Sequence, residues 1–202
     1  MKKLLQIILA LLLAAGSALL AGCAAGRSEP ANLYDLGPLP VQQAGMPALP
    51  PISIAEIYAP AWLDSTRIFY RMNYADGQQP RPYAHARWIM PPAQLLLQRL
   101  KARIAQAGGV ALAASHGAAN VPVLRIEADD FTQSFDSPTQ SSAQLSLRAS
   151  VFRGRTLVAH KIFVRQVPSP SADAAGGAKA LATASDAAIT DLIAWLATLN
   201  LK

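Results

Sequence analysis

The chain has 202 residues, with 18 Lys and Arg against 12 Asp and Glu and a formal charge of +6. That excess is mild and scattered, without the Lys/Arg runs of a nucleic-acid binder, so nucleic acid is excluded as a partner class. An apolar content of 52% permits a proper core in one domain, and a single cysteine excludes a disulfide framework.

The start of the chain is an address. Lys2 and Lys3 precede a leucine-rich run from Leu4 to Leu20, which ends in Leu20-Ala21-Gly22-Cys23. A basic segment, an apolar segment and a small-residue cleavage site describe a secretory signal peptide. The cysteine after Leu20, Ala21 and Gly22 makes the site a lipobox. Cys23 takes a diacylglycerol as a thioether, and the small residues let the peptidase approach and cut before it. The alternative is an uncleaved anchor with an incidental cysteine. The run is near the lower limit of a span, ~17–25 residues, and Gly16 and Ser17 weaken it. Residues 1–22 are therefore expected to be removed, leaving 180 residues with a charge of +4 and no free thiol. Ala24, where an aspartate would retain a lipoprotein on the inner membrane, agrees with the outer membrane and a periplasm-facing domain.

Residues 23–50 are expected to form a lipidated, Pro-rich tether. Leu33-Tyr34-Asp35-Leu36 is a short apolar island within it, and Pro38, Pro40, Pro47, Pro50 and Pro51 block regular structure. The domain is expected over 51–202. Ile52 to Ile57 alternates as a strand, Arg67 to Met72 is a second, and Tyr83 to Trp88 a third, after turn residues at Ala75-Asp76-Gly77. Pro91-Pro92 opens a helix striped by Leu96, Leu97, Leu100 and Ile104, which Gly108-Gly109 ends.

Three further strands follow: Val123 to Phe131, Leu145 to Val151 and Leu157 to Gln166. Loops are expected at Asp136–Thr139 and Val167–Gly177, and a tight turn at Arg153-Gly154-Arg155. A second helix runs from about Ala178 to Leu199, with Trp195 on its core stripe. The fold class is thus α+β: a largely antiparallel sheet of about six strands with two main helices on one face.

Catalytic patterns are missing. His85, His116 and His160 lack metal-ligand spacing. Asp129 and Asp130 are neighbours on a strand, where adjacent residues point to opposite faces. Glu127 and Asp129 share a face beside Arg125, as in a solvated ladder. No Gly-x-Ser-x-Gly elbow or phosphate-binding glycine fingerprint occurs. No cofactor, no metal and no enzymatic activity are expected.

The order of these features resembles one family. The lipobox, Leu33-Tyr34-Asp35-Leu36-Gly37, Ile52-Ser53-Ile54, Trp62-Leu63-Asp64 and Arg67-Ile68-Phe69-Tyr70-Arg71 come in turn. Tyr83-Ala84-His85-Ala86-Arg87-Trp88, Pro91-Pro92 and the final Ile193-Ala194-Trp195-Leu196 complete the match. Together they are similar to the ABC-type transport auxiliary lipoprotein family. The resemblance implies a non-enzymatic lipoprotein held in the membrane by the lipid on Cys23. It also implies an MCE-domain partner within a system that moves lipids or other hydrophobic molecules. The rival reading is an assembly lipoprotein of another outer-membrane complex. Tyr83, Arg87 and Trp88, with Arg81 nearby, have the composition of an interface hot spot. The opposing possibility is that Trp88 is core beneath the first helix. An uncovered sheet face or edge would let copies associate around the partner.

Overall fold

The computed structural model describes residues 30–41, 49–116 and 120–201, together with Lys3. The lipobox residues Leu20, Ala21, Gly22 and Cys23, the apolar run before them and the middle of the Pro-rich segment lie outside the described residues. The unit spanning Ala31–Lys202 contains β1 (Asn32–Tyr34), β2 (Ile52–Ile54), β3 (Arg67–Met72), β4 (Asp76–Trp88) and α1 (Pro92–Gln106). After these come β5 (Ala111–Ala113), β6 (Val123–Ser137), β7 (Gln140–Arg153), β8 (Thr156–Pro168) and α2 (Ala174–Thr198).

All eight strands join one mixed sheet. Its order runs β1-β4-β3-β6-β2-β5, while β7 pairs with β6 and β8 with β7. The expected hairpins are antiparallel: β3 with β4, β6 with β7 and β7 with β8. The expectation of about six strands in a largely antiparallel sheet needs correction. β1 pairs parallel with β4, β2 parallel with both β5 and β6, and β3 parallel with β6. The 15-residue β6 makes this possible, because it takes β2 at Val123–Leu124 and β3 at Gln133–Phe135 along its length. A hairpin is set by its local turn, whereas parallel neighbours meet only through distant crossovers and leave no local signal.

Turn chemistry explains the hairpins. Ser137 Oγ accepts from the backbone N–H of Thr139 and of Gln140, at 3.3 and 3.1 Å, and closes β6 onto β7. Gly154 has φ +59, a left-handed conformation that glycine adopts without a Cβ penalty, and it turns β7 into β8.

Helix α1 begins at Pro92, as the Pro91-Pro92 pair predicts, and ends before Gly108. Helix α2 begins four residues earlier than expected. Asp173 caps it, accepting from Gly176 N at 2.7 Å, and this bond holds the Asp173 carboxyl below the usual range. Gly176 and Gly177 look like loop residues, yet close packing requires them. A Cβ on Gly177 would lie 2.1 Å from Gln133 Oε1, and one on Gly176 would lie 2.1 Å from the Ser171 carbonyl oxygen. Helix α2 then crosses β6, β7 and β8, with α1 beside it. Leu181, Ile189, Leu192, Ile193 and Leu196 enter one core with Leu96, Leu100 and Ile104 of α1. The length and hydropathy of α2 would suit a membrane span, but its apolar stripe packs on the sheet.

The two helices are joined by charge. Arg99 and Arg103 of α1 are buried, and both reach Asp186 of α2. Arg99 Nε lies 3.0 Å from Asp186 Oδ1 and Arg103 Nη2 lies 3.2 Å from the same oxygen. One carboxylate does not satisfy two guanidinium groups. Backbone carbonyls of the segment after β1 supply the rest: Arg99 donates to Leu36 O at 2.6 Å and Gly37 O at 3.0 Å, and Arg103 to Pro40 O at 3.1 Å. Residues 32–40, expected within the tether, are therefore seated on the domain.

Asp186→Ala would leave two buried cations without their anion. Alanine is the better helix former, so a loss of stability would measure the ion pairs. The expected loss is about 3 kcal/mol in urea unfolding, with residues 36–40 becoming cleavable by a protease. Unchanged stability would show that the carbonyls suffice.

Candidate interaction surfaces

Trp88, Arg87 and Tyr83 share β4, but they do not form an exposed patch. Trp88 is 1% exposed, and its ring meets Phe131 edge-on at 5.5 Å. It belongs to the hydrophobic core, which corrects the interface expectation for Trp88. The reason is the alternation along β4, whose Ala86 and Trp88 both point inward. Arg87 folds back on its own strand, donating through Nη1 to the carbonyls of Tyr83 and Ala86. Tyr83 is half-buried, 4.6 Å from the Tyr70 ring, and donates its hydroxyl to Gln133 Oε1 at 2.8 Å. Gln133 Nε2 in turn donates to Ser141 Oγ at 2.8 Å. Burial pushes the Tyr83 hydroxyl far above its ordinary pKa, so it stays a donor at all physiological pH values. This bonded chain lies under Gly177 and positions the start of α2.

The acidic residues of β6 also differ from expectation. A register shift between Ala128 and Asp130 marks a β-bulge at Asp129. Glu127 pairs with Arg148 and Asp130 with Ser146, so the bulge brings Glu127, Asp129 and Asp130 to one face. Adjacent Asp129 and Asp130 were expected on opposite faces. Arg148 grips Asp129 through Nε and Nη2, each at 2.7 Å, and Glu127 at 2.6 Å. These carboxylates form the solvated ladder read from the sequence. Asp130 is more enclosed and accepts from Thr132 Oγ1 at 2.8 Å, and burial pushes its carboxyl up. His160 Nδ1 contacts Ser150 Oγ at 3.0 Å, and His85 is exposed on another strand. Among the described residues, no three His, Cys, Asp or Glu side chains gather as metal ligands.

The open surface is β8. Among the described residues it pairs with β7 alone, so its other edge presents backbone donors and acceptors without a strand partner along its 13 residues. One face of β8 is fixed to α2: Phe163 stacks edge-on with Trp195 at 5.8 Å, and Arg165 pairs with Asp191. Ile162 and Val164 project from the opposite face, 54% and 58% exposed, and Leu157 and Val158 are exposed too. A strand apolar on both faces belongs in the middle of a covered sheet. That composition was legible in Leu157-Val158 and Ile162-Phe163-Val164; its place at the edge was not.

Two variants separate packing from surface. Trp88→Ala is expected to cost about 3–5 kcal/mol of unfolding free energy in denaturant titration; a full-strength fold would return Trp88 to the surface. Asp130 binds its proton more tightly folded than unfolded. Its contribution is thus favourable at low pH and lost as pH rises through the folded pKa. Asp130→Asn should raise the melting temperature at neutral pH by a few degrees, with the gain vanishing in acid. A gain that persists in acid would refute the burial cause.

Comparison with known proteins agrees with this architecture. The crystal structure of protein XCC0632 from Xanthomonas campestris, a DUF330 protein, superposes with a TM-score of 0.71 at 21% identity, covering 83% of this chain and 95% of that one. The crystal structure of an uncharacterized protein matches with a TM-score of 0.63 at 14% identity, over 83% of this chain and 99% of that one. Both show a shared fold. No curated protein matches the sequence. The family model of the ABC-type transport auxiliary lipoprotein component matches residues 33–194, so the chain belongs to that family.

Proposed function

We propose that this chain is a non-enzymatic auxiliary lipoprotein of an MCE-linked ABC-type transport system for lipids or other hydrophobic molecules. Acylation of Cys23 after Leu20-Ala21-Gly22 anchors it in the outer membrane, facing the periplasm, and the MCE-domain protein is its partner. Membership of a lipoprotein family that serves ABC-type transport supports the role, and the Lys2-Lys3 start and Ala24 support the address. The nine residues from Cys23 to Ala31 reach at most about 30 Å. A lipid there holds the domain close to the membrane as an anchor, without a span.

The observation that carries the reading is the open β8 edge. Catalytic sites concentrate titratable groups in a cleft. Here the ladder acids are bound to Arg148, while a long strand and its apolar side chains stay available. Copies of the chain associate through β8. An antiparallel pair centred on Ile162 sets His160 beside Val164 and Lys161 beside Phe163, and no like charges face each other.

Cross-linking of intact cells carrying the tagged full chain, followed by purification in detergent, tests the role. An MCE-domain protein is the expected companion; a different outer-membrane assembly in its place would overturn the reading. Cys23→Ser should leave an uncleaved, non-acylated precursor. Ile162→Lys with Val164→Lys should convert the purified protein to monomer with an unchanged melting temperature, and a mass that does not change would exclude β8 as the self-association edge.

A further inference from the structure

We propose that a groove at the start of α1 docks a partner segment in which a Lys or Arg side chain neighbours an apolar one. The groove is about 490 Å³ and lies between the segment Glu56–Ala59, Asp64, and Ala93, Gln94 and Leu97 of α1. This surface is separate from β8. The inference rests on the auxiliary role above and names the chemistry by which the transport partner would be held.

The floor is apolar. Ile57 and Ala93 are buried in the core cluster, and Ala59 and Leu97 pack against it. Tyr58 stands over this floor, 65% exposed. Its backbone is fixed on both sides: Tyr58 N donates to Ile126 O at 3.0 Å, and Ala128 N donates to Tyr58 O at 2.8 Å. An exposed aromatic ring on a fixed backbone loses little entropy on binding. Asp64 is held as well. Its backbone N–H donates to Pro60 O, beside Leu63, which is buried in the core.

The rim supplies charge. Asp35, Asp76, Asp136 and Asp173 hold hydrogen-bond partners, as does Asp130, and Glu127, Asp129, Asp186 and Asp191 sit in ion pairs. Among the described acidic residues, only Glu56 and Asp64 have neither, and both border this groove. In a chain with an excess of Lys and Arg, two unpaired carboxylates beside an exposed tyrosine are a local reversal of sign. Both carboxylates border the groove with Tyr58, so a guanidinium or ammonium group bound there meets negative charge and an exposed aromatic ring. Its apolar neighbour covers Ile57 and Leu97. An acidic or phosphorylated segment would instead be repelled.

A photo-cross-linking amino acid in place of Gln94, in the full acylated chain in its native cells, tests this contact. The cross-linked peptide would be identified by mass spectrometry. The expected product is a segment of the transport partner with Lys or Arg beside an apolar residue. Glu56→Lys with Asp64→Lys should lower its yield about ten-fold or more while the melting temperature holds. Changing the partner's basic residue to Glu should then restore the yield. An acidic peptide, a lipid adduct, or a yield insensitive to the double change would overturn the groove. If the MCE-domain protein is still recovered by whole-cell cross-linking, the groove alone fails; if it is not, the auxiliary role fails with it.

Discussion

Asp186 stands between two buried arginines, and much of the arrangement depends on that imbalance. Arg99 and Arg103 come from one helix and the aspartate from the other. One negative charge cannot satisfy two guanidinium groups removed from water, so the remaining donors need oxygen atoms. Leu36, Gly37 and Pro40 present their carbonyls to them. The segment after β1 thereby becomes part of the fold, and β1 is held alongside β4. The place of residues 36–40 is set by the electrostatic needs of a helix pair.

The second constraint is close approach. Helix α2 is rich in alanine, and Gly177 removes the last obstacle where it meets Gln133, as Gly176 does against Ser171. Gln133 is then locked between Tyr83 and Ser141. Glycine in a helix costs about 1 kcal/mol relative to alanine, and here that cost is offset by a fully bonded polar chain under the helix. The long central strands β6 and β7 are covered by this packing. Strand β8 is only half covered, since α2 takes Phe163 and Arg165 and leaves Ile162 and Val164 outside.

The resulting molecule divides its chemistry cleanly. Charged groups in the interior and along the β6 ladder are bonded to one another, so they hold the fold together. Two places gather groups left without partners, the outer edge of β8 and the groove beside Tyr58. Both places have features by which surfaces meet: unpaired backbone and exposed apolar side chains at β8, an aromatic ring and uncompensated charge at the groove. A transport auxiliary component needs such surfaces.

The amino-acid sequence by itself determined the local elements. Pro91-Pro92 and Gly108 bound α1, Gly154 turns β7 into β8, and the alternation of β7 marks its buried face. Each depends on residues a few positions apart, where backbone sterics and periodicity act directly. Only the tertiary structure decided the rest. The parallel pairings of β1, β2 and β3, the bulge at Asp129 and the inward place of Trp88 depend on neighbours distant in the chain. So does the meeting of Asp186 with Arg99 and Arg103, 87 and 83 positions away. The fold places Glu56 and Asp64 on one groove and gives every other described acid a partner. Pairing is a property of three-dimensional proximity, and a single sequence carries no local signal for it.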